Sequence, residues 1–130
     1  MAINLNSKVV IVGGKFAEAM ALEYGIYVCQ PNRYFRQDTE YIAFYHLKQI
    51  KYIFRIIGVE KNVQLSKSQI IKSINYLSAV PLKGSEVNDV YQLKLFDESL
   101  IIHDGNVPFV RKQRYTTLDK YLKASDTTML

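Results

Sequence analysis

Tyr41-Ile-Ala-Phe-Tyr-His-Leu-Lys-Gln-Ile50, continued by Lys51-Tyr-Ile-Phe-Arg-Ile-Ile-Gly-Val59, is the stretch whose reading decides the fold. Its first half is open to two readings, because Tyr41, Phe44, Tyr45 and Lys48 would also share one face of a helix. The density of β-branched and aromatic residues argues against that. The second half alternates, with Ile50, Tyr52, Phe54 and Ile56 on one side and Lys51 and Arg55 on the other, which is the period of a strand. The stretch therefore reads as a β-hairpin that turns at Leu47-Lys48, with Gly58 ending or bulging its second strand.

Working back from the hairpin, Pro31-Asn32-Arg33-Tyr34-Phe35-Arg36-Gln37-Asp38 is marked as irregular backbone by its proline and asparagine. Such loops carry binding residues more often than the elements they join. Ile26 to Cys29 is a short strand stopped by Pro31. Residues 8–12, Lys-Val-Val-Ile-Val, read as a buried strand ended by Gly13-Gly14. Residues 15–24 then read as a helix, with Phe16, Ala19, Met20 and Glu23 at helical spacing and Gly25 as its stop. A strand, two glycines and a helix invite a dinucleotide-binding reading. The chain lacks G-x-G-x-x-G and an acid closing a second parallel strand, so the signal is too unspecific to adopt.

Working forward, Ser66 and Gln69 have capping-box spacing, and Ile70, Ile71, Ile74 and Leu77 form one helical stripe ended by Pro81. Residues 83–89 read as an exposed loop. Val90 to Phe96 alternates as a half-exposed strand, and Ser99 to His103 reads as a separate short strand closed by Asp104-Gly105. Thr116, with Asp119 three residues on, suggests a last helix whose apolar side is Leu118, Tyr121 and Leu122. The tail from Ser125 is polar and is expected to fray. No repeat, low-complexity tract or linker interrupts the chain, so residues 1–124 are expected to form one domain, with 125–130 as a frayed tail.

Composition narrows the functional classes. The 130 residues, 48% hydrophobic and 22% charged, are those of an ordinary globular domain able to bury one core. The single cysteine, Cys29, cannot form an internal disulfide, which fits a reducing compartment. No signal peptide and no membrane-spanning run are read, so a cytoplasmic location is expected. His46 and His103, the only histidines, stand in no metal-ligand spacing, and no nucleophile, base and orienter are legible. No catalytic residue, metal or cofactor is assigned, and the chain reads as a binding module rather than an enzyme.

The formal charge of +5 suits a polyanionic partner. From Arg111 to Lys123 there are five basic residues against one acid, Asp119. Arg111, Lys112 and Arg114, with Tyr115 beside them, run into the expected last helix, whose free N–H groups would favour anions. Arg33 and Arg36 flank Tyr34 and Phe35, an arrangement in which cations meet phosphates while rings stack on unpaired bases. The plainer alternative is a solvated basic face beside rings that belong to the core.

Pro-Asn32-Arg-Tyr34, then Tyr41-Ile-Ala-Phe-Tyr-His46, then a strand ending Ile57-Gly58-Val59, resembles the PUA-like superfamily and, within it, the EVE-like branch. Arg114-Tyr115-Thr116 before a short helix is similar to the C-terminal part of that branch. The resemblance spans roughly residues 26–59 and 107–123. It implies an α+β fold: a compact PUA-like, β-barrel-type sheet with two to three short helices. It further implies binding of RNA or DNA, in some relatives through a modified base held in a pocket. By position, Asn32, Phe44, Tyr45 and His46, with Tyr34 from the same loop, would line that pocket. Arg111 to Tyr115 would stand at its rim. The chain departs from the branch in having no tryptophan, so tyrosine or phenylalanine would have to supply the stacking surface. Hydrolases in the related ASCH branch keep catalysis open. Two alternatives stand beside nucleic-acid binding: a pocket for a small anionic ligand such as a nucleotide or cyclic nucleotide, and a protein-interaction or oligomerisation module.

Overall fold

The hairpin is the centre of the sheet. A computed structural model describes residues 4–13, 15–29, 35, 38–64, 67–73, 87–103 and 113–130. In chain order the elements are β1 (Lys8–Gly13), α1 (Lys15–Tyr24), β2 (Ile26–Cys29), β3 (Thr39–His46), β4 (Gln49–Gln64), α2 (Gln69–Ser73), β5 (Val87–Ile102), β6 (Gln113–Thr117) and α3 (Leu118–Lys123). Their sheet order is β2-β5-β4-β3-β1-β6. β1 and β3 are parallel; the other neighbours are antiparallel. The strand that follows α1, β2, pairs with β5, and β1 meets its parallel neighbour β3 only after β2 has intervened, so no direct β-α-β step joins adjacent parallel strands among the described residues.

The β3–β4 connection is a two-residue turn closed by the His46–Gln49 pair. Leu47 and Lys48 both hold positive φ, at 53° and 60°. This is the conformation of the primed turns that suit strand twist, and it favours Asn-Gly. Leucine and lysine occupy it at a cost of about 1 kcal/mol each. Asp38 and Asn62 also have positive φ, but their side chains tolerate it.

β4 and β5 each run 16 residues and would be too long to stay flat. They are broken by register shifts between Ile50 and Tyr52, Ile53 and Phe54, Ile56 and Gly58, and Glu60 and Val63. Each extra residue bends the ladder and adds twist, and the result is a curled mixed sheet. Gly58 thus bulges β4 rather than ending it. The shift on the β3 side, where Ala43–Ile53 is followed by Tyr45–Ile50, places an extra residue in β4. It moves Ile50 off the side that alternation had assigned to it: Ile50 and Ile53 pack in one cluster, Tyr52, Phe54 and Ile56 in another.

Alternation along β1 divides two cores. Val9 and Ile11 join Tyr41, Ala43, Ile101 and, from α3, Leu118 and Tyr121. Val10 and Val12 join Ile42, Phe44, Phe54, Leu93 and, from α1, Ala21. Leu118 and Tyr121 are completely buried, each contributing roughly 2–3 kcal/mol of burial. A third, smaller cluster holds Ile70 and Ile71 of α2 against Ile26 and Val90.

Several expectations are corrected here. The inward face of α1 is Ala17, Met20, Ala21 and Tyr24, while Ala19 and Glu23 are exposed; the Phe16 side chain lies outside the described residues. Residues 87–89, read as loop, begin β5, and the two strands expected at 90–96 and 99–103 are one. Ser66, Ile74, Leu77 and Pro81 lie outside the described residues. The α2 helix is capped by Ser68, whose hydroxyl accepts from Ile71 N at 3.1 Å. The cap of α3 is Thr117, accepting from Lys120 N; Thr116 is a buried β6 residue and Leu122 is exposed. The segment from Ser125, expected to fray, carries local structure. It forms a short 3-10 turn, Thr127–Met129, capped by Asp126 and joined to β5 through an Ile102–Asp126 bridge.

Gly25 stops α1 as expected. Its φ is +68°, and a Cβ there would stand 2.9 Å from the Leu93 carbonyl oxygen. Its own carbonyl accepts Leu93 N–H at 2.7 Å, so helix stop and sheet contact are one feature.

Candidate functional site

His46 ends β3 two residues beyond Phe44, and so faces the α1 side of the sheet. Its Nε2 is buried and has no hydrogen-bond partner among the described residues. A buried, unmatched ring nitrogen costs roughly 1–3 kcal/mol. Glu18, in the first turn of α1, comes to the same place. Partial burial raises its pKa above the ordinary 4.5, against the opposing pull of His46 and Lys51. One carboxyl, one imidazole and one ammonium therefore lie within electrostatic reach where α1, β3 and β4 begin or end. Together they offer an acceptor that is easily protonated and two groups able to donate. That set can match the mixed donor–acceptor edge of a heterocycle or hold an anion.

At the far end of the same face, Lys61, Asp89 and Tyr91 form a closed network. Asp89 is 1% exposed. Its carboxylate accepts from Lys61 Nζ at 3.3 Å and from Asn62 N at 3.0 Å. Lys61 Nζ also donates to Tyr91 Oη at 2.8 Å. The ammonium lies 5.1 Å from the Tyr91 ring centroid. Since it bonds the hydroxyl, it sits off the ring edge, and the contact is a hydrogen bond rather than a cation on a π-face. Burial pushes Tyr91 above its ordinary pKa, with Lys61 opposing. For Lys61, burial acts downward, but Tyr91 and Asp89 outweigh it and the pKa is raised. Every group here is matched, so the network reads as a fastener of the bulged β4–β5 ladder.

Rings join the two ends. Phe35 packs against Tyr91 at 5.1 Å and Tyr27 at 6.2 Å between centroids. Tyr27 meets Phe44 at 5.8 Å, and Phe44 meets Phe54 edge-on at 5.7 Å. Phe35 is thereby seated on the ring cluster of the sheet.

The structure distributes the expected site residues as follows. Phe44 is wholly buried among rings. Tyr45 points to the opposite face, where its ring meets His103 edge-on at 5.9 Å. Arg114 pairs with Ile11 and Tyr115 with Val10 across β6 and β1, so the two side chains leave on opposite faces. Tyr115 packs on the α1-side cluster with Phe44, and Arg114 is exposed. His46, Phe44 and Tyr115 thus share a face that Tyr45 and Arg114 do not. Asn32, Arg33, Tyr34, Arg36, Arg111 and Lys112 lie outside the described residues. Glu18, Lys51, Lys61, Asp89 and Tyr91 were not singled out from sequence. Glu18 sits among the ordinary polar residues of an amphipathic helix, and Asp89 within a polar run that resembles a loop.

Among the described residues, no group of three metal-ligating side chains occurs and no helix is long and apolar enough to cross a membrane. No protein-family model and no curated protein matches the chain. Among solved structures, a mutant of the ZmASCH protein from Zymomonas mobilis is similar, with a TM-score of 0.58 at 12% identity. The match covers 92% of this chain and 96% of that one. At that identity the likeness is one of fold. The chain has the α+β, PUA-like barrel-type architecture expected from the sequence, a curled sheet with three short α-helices among the described residues. The likeness does not single out the EVE-like branch.

Proposed function

We propose that this protein is a nucleic-acid-binding module, with RNA as its first partner. The observation that carries the reading is a PUA-like fold spanning 92% of a chain with a formal charge of +5, since cationic surplus on a compact domain favours phosphate contacts. The finer part of the proposal is a pocket for one base, modified or plain, at the end of the sheet where His46, Glu18 and Lys51 meet. His46 Nε2 and the Glu18 carboxyl would pair with the base edge. Phe44 would back the pocket, and Asn32 and Tyr34 would close it from their loop. Arg33, Arg36, Arg111 and Lys112, with Tyr115, would meet phosphates around it, and Arg114, which leaves on the opposite face, would meet a phosphate further along the strand. The assignment of Tyr45 to the pocket is dropped, because that ring faces the other side of the sheet.

The test is an Arg111→Glu/Arg114→Glu double variant, compared with the unaltered protein by fluorescence polarisation on a labelled single-stranded RNA. Affinity should fall at least tenfold and the slope of log K against log salt should flatten by about 1–2, with the far-UV circular dichroism of the folded protein retained. Equal binding would remove this surface from the interface.

The electrostatic influence of His46 and Lys51 on Glu18 favours one second reading, a site for a free nucleotide. It predicts that mononucleotides raise the melting temperature in proportion to the logarithm of their concentration above Kd. Oligonucleotides should then bind no more tightly than monomers.

A further inference from the structure

Leu47 is 78% exposed, more than any other large hydrophobic among the described residues. It sits at the tip of the β3–β4 turn, next to His46 in sequence, and shares that tip with the exposed Lys48. Both residues hold the left-handed backbone conformation, at φ 53° and 60°. Asparagine and glycine would adopt that conformation without strain. A turn that needed only to reverse the chain would gain by having them, so strain and exposure together point to what the two side chains present. The tip is also held from behind. The Lys48 carbonyl accepts His103 N–H at 2.8 Å, and His103 Nδ1 is paired with the buried Thr127 hydroxyl at 2.8 Å. The side chains are therefore displayed from a fixed backbone, which lowers the ordering cost of binding.

We infer that this turn is a wedge: Leu47 enters a gap beside an unstacked base while Lys48 meets the adjacent phosphate. The inference rests on the nucleic-acid reading above and deepens it, because it specifies a single-stranded or locally opened partner. The wedge stands next to His46, so the base it displaces lies close to the pocket that would receive it. Lys48 and Lys51 supply positive charge at the tip. Glu18, the acid facing His46 and Lys51, is the group whose ionisation partial burial disfavours. Aliphatic side chains wedged between base steps are an established way to unstack them.

The experiment uses a short single-stranded RNA carrying one 2-aminopurine, with the unaltered protein and three variants, Leu47→Ala, Lys48→Ala and Leu47→Asn/Lys48→Gly. Binding by the unaltered protein should brighten the 2-aminopurine as it unstacks. Leu47→Ala should weaken binding about tenfold and abolish the brightening while leaving the salt slope intact. Lys48→Ala should reduce the salt slope by about 0.7 and keep the brightening. The Asn-Gly double variant should melt at a higher temperature than the unaltered protein and bind more weakly. Binding and brightening unchanged in Leu47→Ala would overturn the wedge and leave the nucleic-acid reading standing. Absence of RNA and DNA binding by the unaltered protein would overturn both.

Discussion

Ionising Glu18 works against the fold. Partial burial raises its pKa above 4.5, so between the unfolded and folded values the native state holds more protons than the unfolded one, and stability falls as pH rises through that window. Glu18→Gln keeps the shape and removes the charge. Melting temperatures of variant and parent should coincide below about pH 4 and diverge in favour of the variant as pH rises past the ordinary carboxyl range. Identical profiles would show that burial exerts no such penalty. At this scale little of the site was legible in the sequence. His46 was singled out only through the resemblance to the EVE-like branch. Glu18 was not, since its significance comes from facing His46 and Lys51 across an element boundary. Phe44 and Tyr45 were read as neighbours in one pocket, whereas adjacent strand residues point to opposite faces.

Among the elements, the hairpin, β1, β2 and the Gly25 stop were legible because each is written in local chemistry: alternation, β-branching and a glycine that must hold positive φ. The strand β5 was not. Asp97, Glu98 and Ser99 interrupt its hydrophobic pattern, but ladder hydrogen bonds join backbones and pass through a polar stretch when bulges absorb the register. The side assigned to Ile50 failed for the same reason, since one extra residue in β4 inverts everything before it. The α2 helix shows a further limit. Its N-terminus is satisfied from another element: the Glu60 carboxylate accepts from Ser68 Oγ at 2.6 Å, Ile70 N at 3.1 Å and Gln69 N at 3.1 Å. Desolvation acts upward on Glu60, but these bonds outweigh it and its pKa is lowered. Glu60 therefore stabilises the fold above about pH 4.5, and that contribution is lost as pH falls through its folded value. Glu60→Ala should cost about 1 kcal/mol in urea denaturation at neutral pH, with a smaller difference at pH 3. A cost that persists undiminished at pH 3 would assign the effect to packing instead.

For the whole molecule, the curled sheet has one core against α1 and one against α3, and the formal charge of +5 is carried on this frame. Fold class was an implication of the resemblance to the PUA-like superfamily at residues 26–59 and 107–123, and the structural likeness to ZmASCH agrees with it. Function depends on which face meets the ligand, which no periodicity encodes. The central claim is that this frame binds a nucleic-acid strand and receives one of its bases. The most direct test is polarisation binding of the unaltered protein to single-stranded RNA and DNA of increasing length, alongside duplexes and mononucleotides, at two salt concentrations. The account predicts affinity that rises with strand length to a plateau, favours single strands over duplex, and falls steeply between the lower and higher salt. Affinity independent of length and equalled by a mononucleotide, or no binding to any of these ligands, would contradict it.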